Sequence, residues 1–269
     1  MTLRKGYSDG PEGQIHWRAS GTSSQGVRDL YCFSPAPFSS VAFANLMPHL
    51  AKARRVVAPD YPGQGGSDGG SPTPSIEQYA ASMIAVIKDL SGSSPIDVLG
   101  FHSGCLVAVE AKLQAPDLIE RVLLIDVPAF DPETRAKYLP MVGAPFEMSP
   151  KIETVIKPWD MAVTKRVDVQ PLDQCYALFA DSIGNGPRIN ATFNAAFSYD
   201  VEGRLGALDT GATILATQSS LLEASRRAAS LIPSSKLVEA LEIKRSVLDE
   251  NAAQTSALIQ TILDQPTHN

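Results

Sequence analysis

The sequence predicts an α/β protein built on a mostly parallel, doubly wound sheet. Six short apolar runs recur along the chain, and most of them lack the alternation of a strand with one exposed face. Helical patterns fill the intervals between these runs. Because strand and helix alternate, right-handed crossovers are favoured, with helices on both faces of one sheet.

Each apolar run is predicted to form one strand of that sheet. Residues 14–18 alternate between apolar and polar side chains, so we predict an antiparallel strand at the sheet edge there. The six apolar runs cover residues 30–33, 56–58, 96–99, 122–125, 213–216 and 236–241.

The intervals between the strands carry the predicted helices. Residues 41–53 place apolar side chains on one helical face. Ser75 is the predicted N-cap of a helix that runs to residue 90, with Glu77 in its first turn. Further helices are predicted at 106–114, 221–230 and 251–263.

The segment 129–205 interrupts this rhythm. It is rich in proline and holds no buried strand pattern, whereas 161–167, 173–182 and 188–197 have helical patterns. We therefore predict an α/β core made of residues 1–128 and 206–269, and a helical cap at 129–205. A separately folded small domain is the alternative for this segment.

Composition excludes several classes of protein. A net charge of −6 disfavours nucleic-acid binding, which needs an excess of Lys and Arg. Three cysteines without Cys-x-x-Cys spacing disfavour a disulfide framework and a structural zinc site. No apolar stretch reaches membrane-spanning length, and no signal-peptide pattern opens the chain. We expect a cytoplasmic protein that binds neither a membrane nor a nucleic acid, and a homo-oligomer remains an open alternative.

One predicted strand-to-helix turn carries the candidate chemistry. The run 96–99 is followed by Gly100-Phe101-His102-Ser103-Gly104. Small residues at both ends of a Gly-x-X-x-Gly turn allow a sharp bend that raises the central side chain above the sheet. That central residue is His102, whose imidazole can move protons near neutral pH.

These motifs resemble those of the α/β-hydrolase superfamily. The stretch 56–68, Val-Val-Ala-Pro-Asp-Tyr-Pro-Gly-Gln-Gly-Gly-Ser-Asp, is similar to the turn after its fourth strand. Residues 33–40 resemble its oxyanion loop, 98–108 its nucleophile turn, and 121–128 its sixth strand. The resemblance covers most of the chain and implies an α/β-hydrolase fold with a cap, but it implies less about activity.

The chain departs from the family at the catalytic positions. His102 stands at the nucleophile position, and Ser34 and Pro35 replace the His and Gly of the oxyanion loop. Ser219 falls near the expected acid position, and residues 243–246 hold no histidine where the family base is expected. The four histidines are at 16, 49, 102 and 268, so 103–267 contains none. A Ser-His-acid triad is therefore excluded, because no late histidine can activate a serine.

We predict a cofactor-independent enzyme with His102 as general acid or base. The backbone N–H groups of Ser103 and Ala36 are the predicted oxyanion hole. Ser34, in the same loop as Ala36, is predicted to help bind the oxyanion or the substrate. Asp126 directly follows a predicted strand, where it can orient His102. Such a site suits lyase or isomerase chemistry next to a carbonyl. Ser103 as a nucleophile in a shifted turn is an alternative.

The remaining predictions concern the ligand. Aromatic residues of the cap, including Trp159, point to a small hydrophobic or aromatic substrate with a carbonyl group. Glycines 63–70 lack Gly-x-Gly-x-x-Gly spacing, and no cluster has metal-ligand spacing, so neither a cofactor nor a metal is predicted. A hydrolase of esters, lactones or carbon–carbon bonds with a rewired site and a non-catalytic binding protein are the alternatives.

Overall fold

A computed structural model of the chain describes residues 2–265, and eight strands form one sheet in it. The sheet order is β1-β2-β4-β3-β5-β6-β7-β8, with β2 antiparallel to both neighbours and the other pairs parallel. The strands are β1 (Arg4–Gly10), β2 (Gly13–Ser20), β3 (Leu30–Phe33), β4 (Val56–Pro59), β5 (Ile96–Phe101), β6 (Ile119–Ile125), β7 (Thr213–Thr217) and β8 (Lys236–Ala240).

The predicted α/β fold class is confirmed, and all six apolar runs are strands. The sequence did not reveal β1, because this edge strand is largely exposed and polar. β8 is the opposite edge and is also mostly exposed, so the prediction of burial on both faces is wrong for it. The four strands β3 to β6 hold the buried centre, and their carboxyl ends form one rim of the sheet.

The helices cover both faces of the sheet. Ser75 caps α2 in a reciprocal capping box, with Gln78 rather than Glu77 as its partner. Their bounds are α1 (Met47–Leu50), α2 (Ile76–Ser91), α3 (Gly104–Gln114), α4 (Pro132–Val142), α5 (Glu153–Trp159), α6 (Leu172–Gly184), α7 (Ala191–Ser198), α8 (Val201–Gly206), α9 (Leu222–Leu231) and α10 (Ala252–Leu263).

The helix predicted over 41–53 is broken into two short pieces. A 3-10 turn covers Ser40–Phe43, and α1 is a single turn that begins at Met47. Pro48 stands in the first turn of α1, where its missing N–H is tolerated. A continuous helix would place this proline in its interior, which costs about 3 kcal/mol or more, so the chain restarts there.

The segment between β6 and β7 divides into two parts. Ala195, Tyr199 and Leu205 of its last third belong to the main apolar core, together with residues of α2 and α3. Trp159 and Val163, by contrast, belong to a small cluster of their own. The predicted boundary at residues 205/206 therefore does not separate two cores, because α7 and α8 pack as part of the helical layer on the sheet.

No helix within residues 2–265 is both long enough and apolar enough to traverse a lipid bilayer.

Candidate active site

A cavity of about 340 Å³ lies at the carboxyl-end rim of the sheet. The loops after β3, β5, β6, β7 and β8 all contribute to it, as expected for a ligand site in an open α/β sheet. Helical segments from the insertion after β6 form the remaining wall. The lining includes Pro35, Ala36, Phe38, Ala42, Phe101, His102, Asp126, Met161, Lys165, Arg166, Val169, Gln170, Leu178, Ser219, Ser220, Lys244, Arg245, Ser246, Val247, Leu248 and Asp249.

Two glycines make the sharp turn between β5 and α3. A Cβ on Gly100 would lie 2.5 Å from Cys105 Cα, and one on Gly104 would lie 2.1 Å from the Phe33 carbonyl oxygen. Neither distance is tolerable, so both positions need glycine. Between them His102 has a φ of 51°, a left-handed conformation that is unusual for a residue with a side chain. The turn thus holds the imidazole at its apex, as predicted.

The His102 imidazole lines the cavity and is 39 % exposed there. Its ring stacks on Phe101 with 4.0 Å between centroids, and its Nε2 lies 4.0 Å from Asp126 Oδ2. Desolvation in the cavity, together with the positive charge of Arg166, lowers the pKa of His102 to about 4. The imidazole is therefore neutral at physiological pH.

Asp126 is held rigidly beneath His102. It follows β6, has a φ of 53°, and is fully buried. Its Oδ1 accepts a hydrogen bond from Thr217 N at 2.8 Å, and its Oδ2 accepts one from Thr217 Oγ1 at 2.6 Å. Burial raises the pKa of Asp126, although the Thr217 bonds oppose that shift. The structure thus places Asp126 Oδ2 4.0 Å from His102 Nε2.

Ser103 does not line this cavity. It is buried and stands at the N-terminus of α3, where its Oγ accepts a hydrogen bond from Ala36 N at 2.7 Å. The Ala36 N–H is consequently engaged, although it was predicted as an oxyanion donor. The Ser103 N–H has no hydrogen-bond acceptor in the part of the chain that the structure describes. Of the two predicted donors, Ala36 lines the cavity but its N–H is used, whereas the Ser103 N–H is unused but Ser103 is not among the lining residues.

Ser34 and Trp159 also differ from expectation. Ser34 is fully buried behind the cavity, and its carbonyl accepts a hydrogen bond from Tyr61 at 3.0 Å. Trp159 packs edge-on against Tyr176 and Phe179, with ring centroids 5.1 and 5.2 Å away. Neither residue is part of the cavity lining. Trp159 instead packs against aromatic side chains of its own helical segment.

Serines and cations stand where the resemblance places the family acid and base. Ser219 and Ser220 follow β7, and Lys244 follows β8. From the sequence, these residues are evident only as the side chains that replace the family acid and base. Arg166 lies within the predicted helix 161–167, and the helical pattern does not indicate that it lines a cavity. Within residues 2–265, no group of three His, Cys, Asp or Glu side chains is placed to hold a metal ion.

Residues 32–146 match a family model described as the alpha/beta hydrolase fold. The chain is also similar in structure to an E-2-(acetamidomethylene)succinate hydrolase, at 20 % identity and a TM-score of 0.76, over 98 % of this chain and 100 % of that one. An enol-lactonase from Burkholderia xenovorans LB400 matches at 18 % identity and 0.74, over 96 % and 98 % of the two chains. An esterase from Rhodococcus sp. ECU1013 matches at 18 % and 0.75, over 98 % and 99 %. The chain therefore has the fold of the α/β-hydrolase superfamily.

Proposed function

We propose that this chain is a cofactor-independent enzyme for small carbonyl compounds, with His102 as its general acid/base. The observation that carries the proposal is the position of the imidazole. It is raised by a strained turn into the cavity at the sheet rim, and a buried carboxylate lies 4.0 Å from its Nε2. A strained backbone and a perturbed titrating group at the rim of a sheet are typical of catalytic sites.

The reaction that best fits these groups is proton abstraction from carbon next to a carbonyl. Neutral His102 accepts the proton, and the C–H electron pair forms the double bond of an enolate. The carbonyl oxygen thereby becomes an oxyanion. Return of the proton to a different atom gives an isomerase, whereas departure of a β-substituent with its bonding electron pair from the enolate gives a lyase.

The Ser103 N–H is the group assigned to the oxyanion. It stands at the positive end of the 11-residue helix α3, and its proton is not used within the described chain. The Ala36 amide can assist only if it leaves Ser103 Oγ, to which it donates at 2.7 Å. Ser103 therefore contributes its backbone, and its hydroxyl holds the oxyanion loop in place.

Asp126 stabilises the imidazolium that forms during the reaction. Its separation of 4.0 Å from Nε2 is longer than a hydrogen bond, but such contacts tighten when a ligand excludes water. The helical segment 129–190 is proposed to act as the cap, since Met161, Arg166 and Leu178 from it line the cavity above His102. Movement of this segment would admit the substrate.

Hydrolysis of an ester or lactone is the second candidate. The likeness to an esterase and an enol-lactonase favours it. In this reaction His102 would take a proton from water as the water oxygen attacks the acyl carbon, without a covalent enzyme intermediate. The acyl C–O bond then breaks, and the departing alkoxide takes the proton back from the imidazolium. The same oxyanion donor would serve both reactions.

The two reactions are separable in deuterated water. A panel of aryl ketones, aryl esters and lactones is incubated with the wild-type protein, and α-deuteration and hydrolysis are followed by NMR. We expect His102→Gln to lower the favoured activity by at least about 10²-fold, since acid–base groups contribute 10²–10⁴-fold. His49→Gln, a matched change outside the cavity lining, should have no effect.

The result also distinguishes the alternatives. Deuteration that depends on His102 supports enolisation, and hydrolysis that depends on His102 supports the second candidate. Full activity of His102→Gln in both assays would overturn the proposal. A fluorophosphonate adduct on Ser103 would do the same, because the buried hydroxyl is assigned no covalent role.

A further inference from the structure

Positive side chains outnumber negative ones in the lining of the His102 cavity. Both of its carboxylates already have partners. Asp126 accepts two hydrogen bonds from Thr217, and Asp249 accepts them from Asn45 and Gln170. The chain as a whole has a net charge of −6, so this local excess is a property of the cavity. The charged lining residues are Lys165, Arg166, Lys244 and Arg245 on one side and Asp126 and Asp249 on the other.

Arg166 is the guanidinium of the cavity lining that has no ion-pair partner among residues 2–265, whereas the two lining lysines, Lys165 and Lys244, are likewise unpaired there but carry no planar fork of donors. Its Nε donates to the Met161 carbonyl at 3.1 Å, and its Nη1 is at the limit of hydrogen-bonding distance, 3.5 Å, from Gln170 Oε1. Within residues 2–265 no carboxylate oxygen lies within 4.0 Å of it. Arg245, by contrast, is paired with Asp168 at 2.9 Å. Three of the five guanidinium N–H groups of Arg166, one on Nη1 and both on Nη2, are thus left for a ligand.

The surroundings of Arg166 specify what kind of anion fits. The guanidinium carbon lies 5.9 Å from the centre of the Phe38 ring, and Leu178 and Val169 add apolar wall. A planar fork of N–H donors matches a carboxylate, and a desolvated cation needs an anion to offset its lost hydration. The buried carboxyl of Asp126 disfavours a dianion in the same cavity.

We propose that the substrate is a carboxylate-bearing carbonyl compound whose carboxylate binds Arg166 while its carbonyl lies at His102. The carbonyl half of this inference rests on the proposed function, and the carboxylate half does not. An apolar group between the two polar ends would contact Phe38, Phe101 and Leu178. An oxo acid with an aryl or alkyl substituent fits this description.

Binding of such a carboxylate would also raise the basicity of His102. The charge of Arg166 is one of the two causes that lower the pKa of His102. A bound carboxylate neutralises that charge, so the pKa of His102 should rise towards its ordinary value. His102 would then be a stronger base in the loaded enzyme than in the free enzyme. A neutral substrate would not bring this gain.

The test uses a stable matched pair, 4-oxo-4-phenylbutanoate and 4-oxo-4-phenylbutanamide. Binding of each to the full chain is measured by isothermal titration calorimetry at pH 7.5. We expect the acid to bind at least about tenfold more tightly than the amide. Arg166→Gln should abolish this preference, and Arg166→Lys should keep part of it, because a lysine retains the charge but not the fork.

Arg245→Gln is the matched control for loss of one positive charge at the same cavity. It should keep the preference for the acid. If Arg166→Gln and Arg245→Gln lost the preference for the acid over the amide to the same extent, the proposal would be overturned. The anion would then be bound by the overall positive charge of the cavity and not by Arg166. Equal binding of acid and amide to the wild-type protein would overturn it as well.

These outcomes are independent of turnover. Arg166-dependent binding of the acid without any His102-dependent reaction would retain the carboxylate subsite and reject the proposed function. Competition by inorganic phosphate at lower concentration than the oxo acid would reject the carboxylate as the preferred anion. Circular dichroism of each variant confirms that a changed affinity does not reflect unfolding.

Discussion

Residues 2–265 contain two His–Asp pairs, and the pairs differ in how completely their polar atoms are satisfied. His16 Nδ1 lies 2.8 Å from Asp60 Oδ2, and both side chains are almost wholly buried. His102 Nε2 lies 4.0 Å from Asp126 Oδ2, and the imidazole is 39 % exposed to the cavity. The same two residue types thus form a closed contact in one place and an open one in the other.

The pKa values of the two aspartates shift in opposite directions. Burial opposes ionisation of Asp60, yet hydrogen bonds from His16, Ser40 and Gly66 lower its pKa below the ordinary value. Burial raises the pKa of Asp126, although hydrogen bonds from Thr217 and the Ser219 side chain oppose that shift. A fully bonded carboxylate is stabilised in one charge state, whereas an incompletely bonded one can exchange a proton with a neighbour.

This difference indicates which pair is structural. The His16 pair anchors the turn after β4 to β2 and the oxyanion loop, and its hydrogen-bonding capacity is used in the fold. The His102 pair retains unused capacity and faces space for a ligand. Unsatisfied polar groups at a cavity cost stability, so they are typical of sites where a ligand completes the bonding.

Of the matched changes at the two aspartates, Asp126→Asn should have the larger effect on activity. The amide keeps the size of the side chain but cannot stabilise an imidazolium by charge. We expect kcat to fall by about 10²-fold, the lower end of the range for acid–base groups, because the contact is long. Steady-state kinetics on the substrate found by the panel, with the melting temperature measured in parallel, checks this.

Asp60→Asn is the matched change at the closed pair. It places an NH₂ group against N–H donors and should cost about 3 kcal/mol of unfolding free energy. That corresponds to a melting temperature lower by roughly 6–12 °C, with kcat little changed at a temperature where the protein is folded. If Asp60→Asn reduced kcat as strongly as Asp126→Asn at equal folded fraction, the distinction between the pairs would fail.

The pH profile gives a smaller, graded effect. The pKa of about 4 for His102 means that the reactive neutral imidazole is present down to about pH 5. We expect kcat/KM to be flat from pH 8 to 5 and to fall about tenfold per unit below pH 4. A fall centred near pH 6.5 would show that the cavity does not desolvate His102 in the free enzyme.

Stability should follow the same group. Unfolding restores the ordinary His102 pKa of 6.5, so the unfolded chain binds a proton first as the pH falls. The free energy of unfolding is therefore unaffected by His102 above pH 6.5, and it decreases as the pH falls from 6.5 towards 4. His102→Gln removes this decrease, so the melting temperature of the variant should rise relative to the wild type as pH falls from 7 to 4.

The sequence predicted the apex of the site because local sterics determine it. Gly100 and Gly104 stand where any side chain would meet backbone atoms, and the apolar run before them predicts the strand. The position of Asp126 followed for the same reason, since it comes directly after a buried strand of the same sheet. The position of a residue was therefore predictable where the residues next to it in the sequence determine the local backbone conformation.

Residues whose role depends on tertiary approach were not predictable. The bond from Ala36 N to Ser103 Oγ joins positions 67 residues apart, and nothing in either segment indicates it. Arg166 lies in a segment that was predicted to be helical, but a helical pattern does not reveal which basic residue faces the cavity. Trp159 was predicted at the substrate because aromatic composition cannot distinguish a contact surface from the packing that the structure shows.

The smallest effect is expected at His16, where two substitutions separate hydrogen bonding from catalysis. The side-chain amide of asparagine can donate to Asp60 from nearly the position of Nδ1, so His16→Asn should cost less than about 1 kcal/mol. His16→Leu leaves the buried Asp60 carboxylate without one donor and should cost about 2–3 kcal/mol, measured by urea unfolding. Neither variant should change kcat by more than about twofold, in contrast to a loss of about 10²-fold for His102→Gln. Reduced kcat in His16→Asn at unchanged stability would mean that the His16–Asp60 pair also takes part in the reaction. The degree of hydrogen bonding would then not distinguish the structural pair from the catalytic one.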